Sequence, residues 1–253
     1  MKVLGVIPAR LGASRFPGKP LALLRGRPLI EHVFLRARAC AALDRVVVAT
    51  DDDNIAHVIE ILGGEAIATR DDHASGTDRV AEVAALDAFA SYGTIVNVQG
   101  DEPGIDPRAI ESAALPVARG EAVMATLAHL DADEAAFARP DVVKILCDAE
   151  GDALAFTRAP APEAWQGGSF LRHVGLYAYN RATLARLTAF PVAPPEREER
   201  LEQLRALWHG IKIRVVITPY RSRGVDTPAD LAALERDWET LHGSPSSAKE
   251  PQR

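Results

Sequence analysis

Short apolar runs recur along the chain, and most are followed by a stretch whose apolar residues fall three and four apart. Lys2–Ile7 (KVLGVI) is the first run. A Pro/Gly loop follows it, and then PLIEHVFLRARACAAL (Pro28–Leu43) carries helical periodicity. RVVVAT (Arg45–Thr50) is a β-branched run that ends at three aspartates. NIAHVIEILGG reads as a helix closed by Gly63 and Gly64. EAIAT is a further strand candidate, and SGTDRVAEVAALDAFA opens on a capping pattern before keeping helical spacing. TIVNVQ (Thr94–Gln99) reads as a buried strand, with GDEP after it. This alternation predicts an α/β fold: an open, mostly parallel, Rossmann-like sheet with helices on both faces. Such sheets bind ligands at the carboxyl ends of their strands. The loop after the first strand and GDEP both follow such ends, so they are expected to face one crevice.

After about residue 122 the rhythm changes. AVMATLAHL, VVKILCDAEGDALAFTRA and HVGLYAYN read as strands with few helices between them, and DAEGDA is a turn that predicts a hairpin. A smaller lobe of mixed strands is expected here. EREERLEQLRALWHG reads as one charged amphipathic helix ending at Gly210, and IKIRVVITP returns to strand. GVDTPADLAALERDWETLHG is a turn and a last helix, with Thr227 as N-cap and Pro228 as first residue. The organisation expected is a single domain over 1–242, divided into about 1–121, 122–210 and 211–242. The polar segment GSPSSAKEPQR (Gly243–Arg253) reads as a disordered tail.

Composition narrows the function classes. The net charge of −6 excludes a general basic field for nucleic acid, so any anion must be met by a local cluster. Cys40 and Cys147 have neither metal spacing nor a disulfide framework and are expected as core thiols. No run has the length or character of a membrane span or signal peptide. The expectation is a cytoplasmic protein with no membrane insertion.

Local clusters carry the candidate chemistry. PARLGASRFPGKPL (Pro8–Leu21) places Arg10, Arg15 and Lys19 with Gly12 and Gly18 in the loop leaving the first strand. Glycines let backbone approach phosphate oxygens, Arg forks hold them in pairs, and Lys acts as a point charge. A solvated basic loop has the same composition, and Pro20 after Lys19 excludes a P-loop. Asp101 and Asp226 each sit in a turn after a strand. They read either as turn formers or as two carboxylates converging on Mg²⁺. HASGTDR (His73–Arg79) reads as a helix cap, with or without an anion before it. Arg172 and His173 stand at a strand start, and Glu202 and Gln203 lie on a helix whose Leu201 and Leu204 are expected to be buried.

Taken together, IPARLGASRFPGKPL, VVVATDD, TRDDHASGTDRVAEV, VNVQGDEP, VVKILCDAEGDALAFTRA, FLRHVGLYAY, LEQLRALWHG and GVDTPADL run over about 1–242. In this order they resemble the 3-deoxy-manno-octulosonate cytidylyltransferase (CMP-Kdo synthetase) family. The resemblance implies a nucleotidyltransferase sheet and a cytidylyl transfer from CTP to an acidic eight-carbon sugar, Kdo, with release of pyrophosphate. It implies that Arg10, Ser14, Arg15 and Lys19 meet the triphosphate, with Arg79 and Gln99 also at the nucleotide. Asp101 and Asp226 would hold Mg²⁺, and Lys19, Asp101 and Asp226 would be catalytic. Gln99, Arg158, His173, Glu202 and Gln203 would line the sugar pocket. A homodimer and a role in lipopolysaccharide biosynthesis are implied too. Two departures are Ala13, where the family has serine, and the compact APAPEAWQGGSF (159–170). A cytidylyltransferase for another acidic 2-keto sugar (8-amino-Kdo or a sialate), an uncharged-sugar nucleotidyltransferase and a non-catalytic nucleotide-binding protein are the competing readings.

Overall fold

The computed structural model describes residues 1–12 and 16–242, so Ser14, Arg15 and the expected tail lie outside the described residues. The first half alternates as the pattern predicts. The elements are β1 (Lys2–Ala9), the short hairpin strands β2 (Leu23–Leu24) and β3 (Arg27–Pro28), α1 (Leu29–Arg38), β4 (Arg45–Thr50), α2 (Asp53–Ile61), β5 (Glu65–Ala68), α3 (Gly76–Ala85) and β6 (Tyr92–Asn97). Then come α4 (Pro107–Ala118), β7 (Met124–Asp131), α5 (Glu134–Ala138), β8 (Lys144–Cys147), β9 (Ala153–Thr157) and β10 (Phe170–Asn180). The last elements are α6 (Arg181–Ala189), α7 (Pro194–Glu199), α8 (Gln203–Trp208), β11 (Arg214–Ile217) and α9 (Pro228–His242).

One sheet runs β11-β7-β10-β6-β1-β4-β5, and β8 and β9 branch from β10. Pairings β6–β1, β1–β4, β4–β5 and β11–β7 are parallel, whereas β10 is antiparallel to β6, β7 and β8. Four of the six pairings along the seven-strand path are parallel, which makes the central sheet mostly parallel, and the β8–β9 hairpin beside it turns at Gly151, whose φ of 83° suits glycine. Both faces are covered. Along β1, Leu4 and Val6 enter one core and Val3, Ile7 and Ala9 the other, because successive side chains point to opposite faces. Val80, Val83, Leu184 and Leu187 from α3 and α6 fill the first core. Ile30, Val33, Ile55, Ile59 and Ile110 from α1, α2 and α4 fill the second. This double burial explains why these strands read as continuous apolar runs.

Some expectations need correction. EREERLEQLRALWHG is not one helix: Arg200 adopts φ 54° and splits it into α7 and α8, which meet at a corner. The corner is tied by Arg205, which donates to Glu196 at 2.9 and 2.5 Å with both side chains buried. After residue 122 the short α5 and the longer α6 lie among the strands, in line with the few helices expected there, and α4 precedes them. Cys40 is buried, but Cys147 is only half-buried. As expected, Leu201 and Leu204 are buried and Thr227 caps α9 through an exchange with Asp230.

Candidate active site

The carboxyl ends of β1 and β6 open onto a common cleft. One chamber, of about 280 Å³, is lined by Pro8, Ala9 and Arg10 after β1, by Lys19 and by Ser75, Gly76 and Arg79 at the start of α3. Pro20, His73, Gln99, Gly100, Asp101 and Asp226 complete it. A second chamber of about 670 Å³ shares Asp101 and Asp226 with the first and adds Glu102, His129, Arg172 and His173. The two aspartates form the wall between them.

Backbone contacts fix that wall. The Val225 amide donates to the Asp101 carbonyl at 2.9 Å, which staples the GVDTP turn to the GDEP turn. Gly100 leaves no room for a side chain, since a β-carbon there would stand 2.7 Å from the Pro8 carbonyl oxygen. Lys19 reaches across the opening: its ammonium lies 2.8 Å from Asp101 and 3.6 Å from Asp226. Two carboxylates sharing one cation offer hard oxygen ligands, a set that fits Mg²⁺ when substrate phosphates complete the shell. Among the described residues, no three His, Cys, Asp or Glu side chains are grouped to hold a metal unaided.

Arg79 lines the first chamber although it is only 2% exposed. Its Nη1 is held by Thr69 and, at 3.3 Å, by Asp51, while its buried Nη2 has no partner among the described residues. A buried unpaired donor is rare enough to point to a polar ligand. Ser75 and Asp78 form a capping box that starts α3. Ser75 and Thr77 also donate to Glu202, at 2.8 and 2.7 Å, from 127 and 125 residues away. Burial raises the Glu202 pKa and these hydroxyls lower it, with a net rise. Gln203 beside it is buried with Nε2 unpaired among the described residues.

His173 sits on β10 next to an irregularity between Val174 and Tyr177. Thr126 donates to the Leu176 carbonyl at 2.8 Å, so the 3.1 Å contact with His173 is a donation from its Nε2–H. Burial, and then the charge of Arg158, push the His173 pKa down to about 3, so the ring is neutral. Arg158 lines neither chamber. Its Nε donates to the Glu199 carbonyl at 2.9 Å and its Nη1 to the Pro140 carbonyl at 3.2 Å. Thus Arg10, Lys19, Arg79, Gln99, Asp101 and Asp226 share a chamber, and His173 joins the second. Glu202 and Gln203 stand behind the start of α3, and Arg158 is tied to α7.

Other residues escaped sequence reading. Glu102 lines the second chamber and bonds Ser222. Burial, then the Asp101 charge, push its carboxyl up to about 7. Its position beside Asp101 in GDEP was the available signal. Lys144 is fully buried and donates to the Arg139 and Arg158 carbonyls at 2.7 and 2.8 Å. A lone lysine inside the apolar run VVKILC could have flagged it. The compact 159–170 stretch makes a tight Gly167-Gly168 turn, bridged between Gln166 and Ser169, and lays Trp165 against Phe137 and Phe170.

Comparison with known proteins agrees with this geometry. The family model described as cytidylyltransferase matches residues 4–213. A 3-deoxy-manno-octulosonate cytidylyltransferase of Nitratidesulfovibrio vulgaris (strain DP4) is 48% identical over 237 residues, covering 91% of this chain and 93% of that protein. One of the same name from Solibacter usitatus (strain Ellin6076) is 46% identical, covering 93% and 94%. The solved structure of a CMP:2-keto-3-deoxy-manno-octonic acid synthetase complexed with CTP superposes with a TM-score of 0.87 at 40% identity, over 95% of this chain and 99% of that one. On this evidence the chain belongs to the cytidylyltransferase family, among the 3-deoxy-manno-octulosonate cytidylyltransferases.

Proposed function

We propose that this protein transfers the cytidylyl group of CTP to 3-deoxy-manno-octulosonate, giving the CMP-sugar and pyrophosphate. The observation that carries the reading is the junction at which Lys19 faces Asp101 and Asp226, on the wall shared by two chambers. One chamber takes the nucleotide and the other the reacting end of the sugar. The anomeric hydroxyl oxygen bonds to the α-phosphorus, the bond from that phosphorus to the β-phosphate oxygen breaks, and the hydroxyl proton passes to solvent. Pyrophosphate leaves with the electron pair. Such a transfer needs positioning and charge stabilisation rather than a covalent nucleophile.

Arg10, Arg15 and Lys19 neutralise the triphosphate, and Ser14 of the same loop adds a hydrogen bond. Arg79 offers its unpaired Nη2 to the nucleotide. Asp101 and Asp226 would hold Mg²⁺, which when bound polarises the phosphoryl oxygens. Gln99 stands between nucleotide and sugar. Gln203 supplies a buried donor for a sugar oxygen, Glu202 orients Ser75 and Thr77, and neutral His173 presents a polar ring without adding charge. Arg158, outside both chambers, acts on the sugar side through the charge it holds near His173. The protein acts as a homodimer: Leu154 on β9 and Trp208 on the adjoining α8 are 62% and 60% exposed, apolar surface that a second copy covers. The cytoplasm and supply of lipopolysaccharide biosynthesis follow from the resemblance. No described helix is long and apolar enough to cross a membrane.

The test is pyrophosphate release with Mg²⁺, CTP and, in turn, Kdo, its 8-amino analogue and a sialic acid, with Asp226→Asn as control. Release with Kdo that is lost in the variant supports the reading. Release only with another sugar moves the substrate and assigns the change to the compact 159–170 stretch. No release with any sugar or nucleotide, despite CTP binding, makes the protein a non-catalytic binder.

A further inference from the structure

Lys19 is expected to meet the triphosphate, yet its ammonium is engaged elsewhere. It lies 2.8 Å from Asp101 Oδ2 and 3.6 Å from Asp226 Oδ1. Its side chain is 14% exposed, against 32% and 49% for the two aspartates, so it is the inner member of the trio. The backbone holds it there. Lys19 opens a 3₁₀ turn, Lys19–Leu21, behind Gly18 at φ 75°, and Pro20 is buried. The Lys19 amide donates to the Phe16 carbonyl at 3.2 Å and the Leu21 amide to the Gly18 carbonyl at 3.0 Å. The aspartates are fixed to each other by the Val225 amide on the Asp101 carbonyl. A divalent cation chelated by both carboxylates and the Lys19 ammonium therefore compete for the same oxygens, and at such distances they repel one another.

We propose that Lys19 is the internal counter-ion of the Asp101–Asp226 pair, and that the divalent metal displaces it and sends the ammonium toward the triphosphate. This rests on the assignment of the two aspartates as metal ligands. One positive charge then serves two stations. Before the metal arrives it neutralises two carboxylates that would otherwise repel each other. Afterwards it neutralises the nucleotide. The exchange links the two binding events, because metal frees a phosphate ligand and a bound phosphate holds the ammonium off the metal site. The flexible stem and point charge of lysine suit this swing, whereas the planar fork of arginine does not.

The experiment measures Mn²⁺ binding to nucleotide-free protein by electron paramagnetic resonance, so it needs no turnover. Lys19→Met is expected to bind Mn²⁺ about tenfold tighter than the parent protein, the scale of one partly buried charge pair removed. Lys19→Gln, measured in parallel in case Lys19→Met misfolds, is expected to tighten binding likewise. Lys19→Arg, which keeps the charge and can grip both carboxylates with its fork, should bind Mn²⁺ no tighter than the parent. Asp101→Asn and Asp226→Asn should each lose the site. Unchanged or weaker Mn²⁺ binding in both neutral variants overturns the proposal while the metal assignment stands. Mn²⁺ binding that survives both Asp→Asn changes overturns the metal assignment and the proposal with it.

Discussion

Adding one methyl group at Gly100 probes the geometry of the cleft directly. The new β-carbon would stand 2.7 Å from the Pro8 carbonyl oxygen, with Ile7 Cγ2 at 3.7 Å. An ordinary carbon–oxygen contact is about 3.3 Å, so the two segments must part by about 0.6 Å. Neither yields easily. Pro8 is paired in the sheet, opposite Ala49, and Gly100 leads into Asp101, whose carbonyl accepts the Val225 amide. Overpacking of this kind costs about 1–3 kcal/mol. In a chain of this size that lowers the melting temperature by about 2–12 °C. The displacement falls on Gln99 and Asp101, and a misplacement approaching 1 Å costs up to about 10²-fold in rate. Gly100→Ala is therefore expected to lower kcat about tenfold or more while leaving a folded protein. Pyrophosphate release and calorimetry on the same preparation measure both. A variant with parental kcat and parental Tm would refute the idea that the 99–101 loop is a rigid platform for the aspartates.

A methyl group at Gly12 meets nothing within 4 Å among the described residues. Gly12→Ala should therefore leave Tm unchanged but raise the KM for CTP several-fold if the loop backbone closes on phosphate, and an unchanged KM would remove Gly12 from the cradle. Glu196→Ala leaves the buried Arg205 with only Glu202, at 4.0 Å, among the described residues and should cost about 3 kcal/mol in urea unfolding, with a loss below about 1 kcal/mol contradicting the role given to this pair. His129 is 6% exposed, and burial, then Arg172 and Arg221, lower its pKa from 6.5 to about 4. The unfolded chain binds the proton that the fold refuses, so this stability is complete above pH 6.5 and is lost as pH falls toward 4. Unfolding free energy should drop by about 2 kcal/mol between pH 7 and pH 5 through this group. His129→Gln should flatten that part of the curve, and an identical slope would contradict the assignment.

The strands were legible because a doubly covered parallel sheet forces both faces of β1, β4 and β6 to be apolar, which leaves runs such as RVVVAT. The caps of α3 and α9 were legible because Ser75 and Thr227 do local work that neighbours in sequence complete. The break between α7 and α8 was not. Helical periodicity continues through EREERLEQLR, and only the positive φ of Arg200 and the Glu196–Arg205 pair impose the corner. In the site, the approach of Asp101 to Lys19 was foreseen as a shared crevice because each follows a strand end. The grip of Ser75 and Thr77 on Glu202 was not, since it joins residues more than 120 positions apart through a corner that sequence concealed. Nor does spacing disclose that Lys144 braces Arg158, which depends on the pairing of β8 with β9.

The central claim is cytidylyl transfer at the Asp101–Asp226 junction. It is tested most directly by following CTP, Mg²⁺ and Kdo with the parent protein by phosphorus NMR. The account predicts Kdo-dependent conversion of the α-phosphate signal into a phosphodiester with an equal amount of pyrophosphate, and no conversion with Asp101→Asn. Conversion of CTP without Kdo, an unaltered spectrum with it, or full conversion by Asp101→Asn would contradict the account.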